Sequence, residues 1–194
     1  MPQVSAQEFE RLPLRVHAFL AGVPLHDVWA IDLPHARAGI TLHEFLRATR
    51  SRPCSPSTLV RMLVRIRLFV GRIFGWDREP TATAAESFTT RLTATDRLRS
   101  LTPASTQEGL FRVVYCFENE QLLELANRTA HAGALSALVE TANAYRFYFG
   151  VYVRRVSRFT PVYMAAIDPF RKLVVYPSLL RSVQANWNQA FRTG

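Results

Sequence analysis

The chain has 194 residues, of which 48% are hydrophobic and 20% are charged, a length and balance that fit one globular domain and exclude wholesale disorder. No run approaches the ~18 uncharged apolar residues of a membrane-spanning helix, and no secretory signal is visible, so we expect a cytoplasmic protein. The net charge of +9 is concentrated in residues 45–78, with eight arginines and one acid, and 146–181, with seven basic residues and one acid. Both blocks favour an anionic partner.

The first part of the chain, residues 1–78, reads as helices around one strand. Ser5 and Glu8 have the spacing of a capping box, which predicts a short helix over about 6–20. Residues 28–31 predict a strand because they are apolar and lie between turn residues. A second capping box predicts a helix from Thr41 to about residue 49.

Residues 57–75 form the clearest helical pattern, and residues 79–107 read as a linker-like segment rich in Thr, Ala and Ser. Most of the helix circumference is apolar, which is typical of a helix buried on two sides. Arg61, Arg65 and Arg72 lie within about 40° of one another at 100° per residue, so this face could instead contact an anionic membrane surface or a second subunit. A nucleic-acid role is disfavoured, because no groove-entering motif accompanies the arginines.

Residues 108–194 contain a change to period-two alternation followed by a helical pattern. Such alternation is typical of half-buried strands, and short connections between successive strands indicate an antiparallel meander. The four strands are predicted over about 110–117, 121–127, 133–141 and 145–155.

The fourth predicted strand is unusually aromatic. Phe147 and Phe149 alternate with Tyr148 and Tyr152, so we expect the phenylalanines in the core and the tyrosines on an outer face.

A long helix is predicted over about 161–190. Tyr163, Ile167 and Phe170 share one stripe, which we expect to face the sheet. Pro169 and Pro177 should bend or break the helix, because proline lacks the backbone N–H and clashes with the preceding turn. The predicted fold is therefore α+β: a curved antiparallel sheet packed on a long C-terminal helix, with additional N-terminal helices in the same domain.

The stretch from Tyr163 through Ala166-Ile-Asp-Pro-Phe to Tyr176-Pro177 resembles the terminal helix of a bacterial family of unknown function, DUF2867. Residues 65–67 and 71–77 are similar to a basic helix that this family carries before its sheet. The resemblance implies the helix-grip fold of the Bet v 1, START and polyketide-cyclase (SRPBCC) superfamily, which binds lipids, hormones and polyketides. It carries over no catalytic residues.

The resulting first hypothesis is a domain that binds an apolar or amphipathic small molecule between sheet and C-terminal helix. Ligand pockets are mostly apolar with a few orienting polar groups. The alternative is that the same aromatic residues form an ordinary core. The predicted lining residues are Tyr115, Phe147, Phe149, Tyr163, Ile167 and Phe170.

Motifs that would define a reaction are missing, and the sequence leaves open whether the protein is an enzyme. There is no nucleophile elbow, phosphate-binding loop or metal-ligand spacing, so no cofactor and no metal are predicted. His26 and Asp27 are neighbours, but adjacent strand residues are expected to face opposite sides.

A second hypothesis is a cyclase or hydrolase in which a tyrosine or a buried acid such as Glu124 assists proton transfer. A third is a membrane or protein-interaction module using helix 57–75. Self-association is left open.

Overall fold

The structure, a computed structural model, describes residues 3–34, 36–50, 87–126, 131–156 and 160–191. Within them the chain forms a single six-stranded antiparallel sheet with helices on both faces. The predicted α+β architecture, with a curved sheet, a long C-terminal helix and N-terminal helices, is confirmed. The helix predicted over 57–75 lies outside the described residues.

The N-terminal part contributes three helices and the first strand. Helices α1 (Ala6–Glu10) and α2 (Arg15–Phe19) precede strand β1 (Leu25–Pro34), and helix α3 (Leu42–Arg50) follows it. The predicted capping at Ser5 is present, because its hydroxyl oxygen accepts from the Glu8 amide at 3.2 Å. β1 is much longer than the predicted strand.

The described part of the linker-like segment, residues 87–107, packs against the sheet. It contains a 3₁₀ turn (Phe88–Arg91), helix α4 (Ala94–Arg99) and the start of the short strand β2 (Gln107–Glu108). Phe88 is completely buried and joins the hydrophobic core. This stretch therefore helps to cover one face of the sheet.

The four strands of the predicted meander are all present and pair antiparallel in chain order. β6 also pairs with β1, so the strand order across the sheet is β1-β6-β5-β4-β3-β2. The meander strands are β3 (Phe111–Cys116), β4 (Glu120–Ala126), β5 (His131–Glu140) and β6 (Ala144–Arg154).

The sheet has a hydrophobic cluster on each face. On the N-terminal face, α1, α2 and the 3₁₀ turn bury Phe9, Phe19 and Phe88 against the strands. On the C-terminal face, α3 and the last helix bury residues such as Phe45 and Trp187. Alternate side chains of each strand therefore enter different cores.

The alternation of β6 was predicted correctly, but the environment of its tyrosines was not. Phe147 belongs to the C-terminal cluster, with Phe149 partly buried against it. Tyr148 and Tyr152 were predicted on an outer face; they are only 4% and 5% exposed. The prediction was wrong because α1 and α2 cover the second face of the sheet.

The last helix runs from α5 (Thr160–Phe170) through a π-turn (Arg171–Val175) into α6 (Tyr176–Phe191). The helix was expected to bend or break at Pro169 and Pro177, yet it continues. The π-turn lies between the two prolines, and its hydrogen bonds span one residue more than those of an α-helix. None of the described helices is long and apolar enough to cross a membrane.

Candidate functional site

Strand β1 begins with a β-bulge at His26. Leu25 pairs with Tyr152 and Asp27 pairs with Val151, so two steps along β1 match one step along β6. A bulge re-aims side chains, because the extra residue is outside the regular alternation. His26 and Asp27 consequently both reach groups on the C-terminal helix.

The π-turn of the last helix lies opposite this bulge. Asp168, just before the π-turn, and Arg171, at its start, contact the beginning of β1. Tyr176, just after the π-turn, contacts it as well. Both kinds of irregularity, a β-bulge and a π-turn, occur often at functional sites. We name the resulting set of side chains the His26 cluster: His26, Asp27, Asp168, Arg171 and Tyr176.

His26 is held by Asp168. Its Nε2 atom lies 2.9 Å from Oδ1 and 3.0 Å from Oδ2 of Asp168. An ionised carboxylate can only accept a hydrogen bond, so Nε2 carries the hydrogen and, in the neutral ring, Nδ1 has a free lone pair. Nδ1 makes no hydrogen bond within the described part of the chain, and the side chain is 25% exposed.

Asp27 is the buried centre of the cluster. Its side chain has no exposed surface; Nη2 of Arg171 lies 3.5 Å from Oδ2, and the Tyr176 hydroxyl lies 3.2 Å from Oδ1. Burial raises the pKa of Asp27, while the positive charge of Arg171 opposes that rise. Burial also raises the pKa of Tyr176, so its hydroxyl stays protonated and donates to Asp27.

Arg171 joins the two carboxylates. Its Nη1 donates to Oδ1 of Asp168 at 3.0 Å, and it also contacts the Tyr176 hydroxyl. The guanidinium is only 13% exposed, which limits its alternative partners. One nearly buried cation thus contacts both carboxylates, and the geometry of the cluster is fixed from several sides.

The expectation that His26 and Asp27 face opposite sides of a strand was wrong. The bulge removes the strict alternation on which that expectation was based. The sequence signal was incomplete, because a bulge depends on the register with Val151 and Tyr152 on a distant strand.

The cluster borders an aromatic wall. The ring centroid of Tyr176 lies 5.5 Å from that of Trp29 and 5.6 Å from that of Phe149. Phe149 and Ile167 are partly buried hydrophobic residues packed on the same cluster of the core. Polar groups therefore lie at one end of an apolar surface that is not fully covered.

The structure brings together only some of the predicted pocket residues. Phe147, Phe149 and Ile167 share the C-terminal face. Tyr115 lies on the opposite face, packed against Phe19, and therefore does not line the same space. Phe170 is 53% exposed. The side chain of Tyr163 and the residues Arg61, Arg65 and Arg72 lie outside the described part of the chain.

Among the described residues, one group has the donor atoms for a metal ion. His26, Asp27 and Asp168 each offer one ligand atom, and these atoms lie within 4.8 Å of one another. Arg171 already contacts both carboxylates, so a cation would have to compete with a fixed positive charge. The three donor groups by themselves suit a metal ion. With the guanidinium of Arg171 between the two carboxylates, however, the site as a whole does not fit one.

Glu124, named from the sequence as a proton-transfer candidate, is buried on the N-terminal face. Its oxygens accept from the Ser87 hydroxyl at 2.5 Å and the Phe88 amide at 2.9 Å, and His131 lies 3.3 Å away. Burial raises the pKa of Glu124, but these hydrogen bonds outweigh it and the net pKa is lowered. The carboxylate fastens the 3₁₀ turn to the sheet.

A second buried carboxylate, Glu120, was not found from the sequence. One oxygen accepts from the Arg15 amide at 2.9 Å, at the start of α2. Neither Oε2 of Glu120 nor the Tyr115 hydroxyl has a hydrogen-bond partner in the described structure. Burial raises the pKa of Glu120 to about 7.

Fold and site together define an α+β domain whose C-terminal helix carries a polar cluster against the first strand of a six-stranded antiparallel sheet. The chain matches, over residues 19–178, the model of a family described as a protein of unknown function, DUF2867. It belongs to that family. Comparison with curated proteins and with solved structures gave no match.

Proposed function

We propose that this protein binds an apolar or amphipathic small molecule between the sheet and the C-terminal helix, with the polar end of that molecule at the His26 cluster. One observation carries the proposal: a fixed group of hydrogen-bonding side chains borders an incompletely covered aromatic wall. Small-molecule sites combine an apolar lining with a few placed polar groups in this way.

The apolar end is supported by the burial of the side chains along β6 and α5. Phe147 is 3% exposed and forms the floor, while Phe149 and Ile167 keep part of their surface accessible. Covering apolar surface contributes roughly 25 cal/mol per Å². An apolar chain lying on Phe149 and Ile167 would gain this contribution.

The polar end is supported by unused hydrogen-bonding capacity in the His26 cluster. Nδ1 of His26 has no partner among the described residues, and Trp29 Nε1 is a buried donor without one. A buried donor without a partner costs about 1–3 kcal/mol. A ligand oxygen that accepted from Trp29 would remove that cost.

The remaining expectations stay predictions. Contact of Arg61, Arg65 and Arg72 with an anionic membrane surface remains a prediction, because these residues lie outside the described structure. Placement in the cytoplasm and membership of the SRPBCC superfamily likewise rest on the sequence, and self-association stays open.

The proposal is tested by native mass spectrometry and by titration with 8-anilinonaphthalene-1-sulfonate, an anionic amphiphile whose fluorescence rises in apolar surroundings. We expect a co-purified small molecule or saturable one-to-one binding of the probe. Phe149→Ala should weaken binding about tenfold, which corresponds to about 1.4 kcal/mol.

Phe170→Ala is the matched control, because it removes the same type of side chain from an exposed position, at the end of α5. It should leave the dissociation constant unchanged. Equal effects of the two substitutions, or no saturable binding to the folded protein, would contradict the proposed site.

A further inference from the structure

We propose that His26, oriented by Asp168, is the general base of a hydrolase that cleaves an ester or similar acyl group in the bound amphipathic molecule. This inference rests on the proposed function, since it places the reacting group at the polar end of the same site. It goes further by assigning a reaction and a role to two residues.

The geometry of His26 is the first support. Both oxygens of Asp168 lie within 3.0 Å of Nε2, which fixes the tautomer and leaves the Nδ1 lone pair unused. A histidine whose other nitrogen is held by a carboxylate is the arrangement used by general bases in acyl transfer. The side chain is 25% exposed, so water can reach it.

The surroundings of Asp168 are the second support. Arg171 donates to Asp168 at 3.0 Å, and Lys172 Nζ lies 4.0 Å from its other oxygen. These contacts hold the carboxylate in place while it orients the imidazole. Asp168 is therefore a positioning residue, and Arg171, which also contacts Asp27, holds the Asp168 carboxylate in place.

The reaction balances without a co-reactant other than water. Nδ1 of His26 takes a proton from water while the water oxygen forms a bond to the carbonyl carbon. The tetrahedral intermediate then breaks its bond to the leaving oxygen, which receives the proton from His26. A carboxylic acid and an alcohol are released, and His26 returns to its neutral form.

The test uses p-nitrophenyl acetate, butyrate and octanoate with the full chain, following release of p-nitrophenol. We expect hydrolysis above the buffer rate, with a lower KM for the longer acyl chains because they cover the aromatic wall. His26→Gln should lose at least about a hundredfold in kcat, the usual contribution of a general base. Its amide N–H can still donate to Asp168, so the fold should be retained.

Asp168→Asn should lower kcat about tenfold or more with little change in KM, because it disturbs the orientation of His26 and not the apolar contacts. His43→Gln is the control histidine; it lies on α3 with Glu44 and Arg47 in an open groove away from the cluster. It should behave like the unchanged protein. A solvent deuterium isotope effect above one is expected for proton transfer to His26.

The outcomes separate this inference from the proposed function. Hydrolysis at the buffer rate, or unchanged hydrolysis by His26→Gln, overturns the catalytic role while probe binding still supports the site. Activity that disappears on chelation with EDTA assigns His26, Asp27 and Asp168 to a metal ion and also overturns it. Absence of probe binding in every variant overturns the proposed function itself.

Discussion

Both carboxylate oxygens of Asp168 lie within 3.0 Å of Nε2 of His26, although 142 positions separate the two residues in the chain. The contact joins the start of β1 to the last turn of α5, next to the π-turn. It connects the first strand and the last helix of the domain. This connection has consequences for stability as well as for binding.

Asp168→Asn should destabilise the fold. The substitution removes the charge that pairs with Arg171 and His26, and hydrogen bonds to charged groups contribute about 1.5–3 kcal/mol each. We expect a loss of about 1–3 kcal/mol in urea unfolding at neutral pH. Asp32→Asn on β1 is the control, because that side chain is 73% exposed, and it should change stability by less than about 0.5 kcal/mol.

The contribution of Glu120 to stability should fall as the pH rises from 4.5 to about 7. Burial raises the pKa of this carboxyl group from 4.5 in the unfolded chain to about 7 in the fold. The folded state then binds more protons within this window, so the stabilisation is complete below 4.5 and is lost as the pH rises. The loss amounts to at most about 3 kcal/mol.

Glu120→Gln removes the titrating group while keeping its shape. We expect the variant to match the unchanged protein near pH 4.5 and to be the more stable of the two at pH 8, measured by urea unfolding across the range. Glu118→Gln, a neighbouring exposed position, is the control. Parallel pH profiles for Glu120→Gln and the unchanged protein would show that the buried carboxyl does not titrate as described.

Much of the fold follows from local patterns, whereas the candidate site does not. The alternation along β6 is a property of neighbouring residues, so the strand and its two faces could be predicted. The bulge at His26 depends on pairing with a strand more than a hundred positions away. Strand alternation defines the two faces only within one strand, and β3 also contains a bulge, between Val113 and Tyr115. For these reasons the sequence could not show that Tyr115 lies on the face opposite to Phe147 and Phe149.

The hydrogen-bond partners of the buried carboxylates could not be predicted for the same reason: they are distant in sequence. The partners of Glu120 and Glu124 come from Arg15, 105 positions away, and from Ser87, 37 positions away. No spacing rule relates such residues. Their roles became visible only when α2 and the 3₁₀ turn were placed on the N-terminal face.

Tyr115→Phe should be neutral or stabilising. The Tyr115 side chain is completely buried and its hydroxyl has no partner within the described structure, so removing the oxygen relieves a desolvation cost. We expect a gain of up to about 1 kcal/mol in urea unfolding, and unchanged binding of the fluorescent probe. A loss of probe affinity would instead place Tyr115 at the ligand, as the sequence suggested.

Glu124→Ala should be strongly destabilising. It leaves the Ser87 hydroxyl, the Phe88 amide and His131 without their common acceptor in a buried setting. Breaking such a buried network by removing one partner costs about 3–5 kcal/mol. Thermal unfolding measures the effect, and a melting temperature within a degree or two of the unchanged protein would contradict the assignment of Glu124 as the fastener of the 3₁₀ turn.

The most direct measurement of the binding account is nuclear Overhauser spectroscopy of the protein with bound 8-anilinonaphthalene-1-sulfonate. We expect contacts from the aromatic rings of the probe to Phe149 and Ile167, together with shifted resonances of the His26 imidazole. Contacts confined to the N-terminal face, around Phe19 and Tyr115, or to the exposed Phe170 alone, would contradict it.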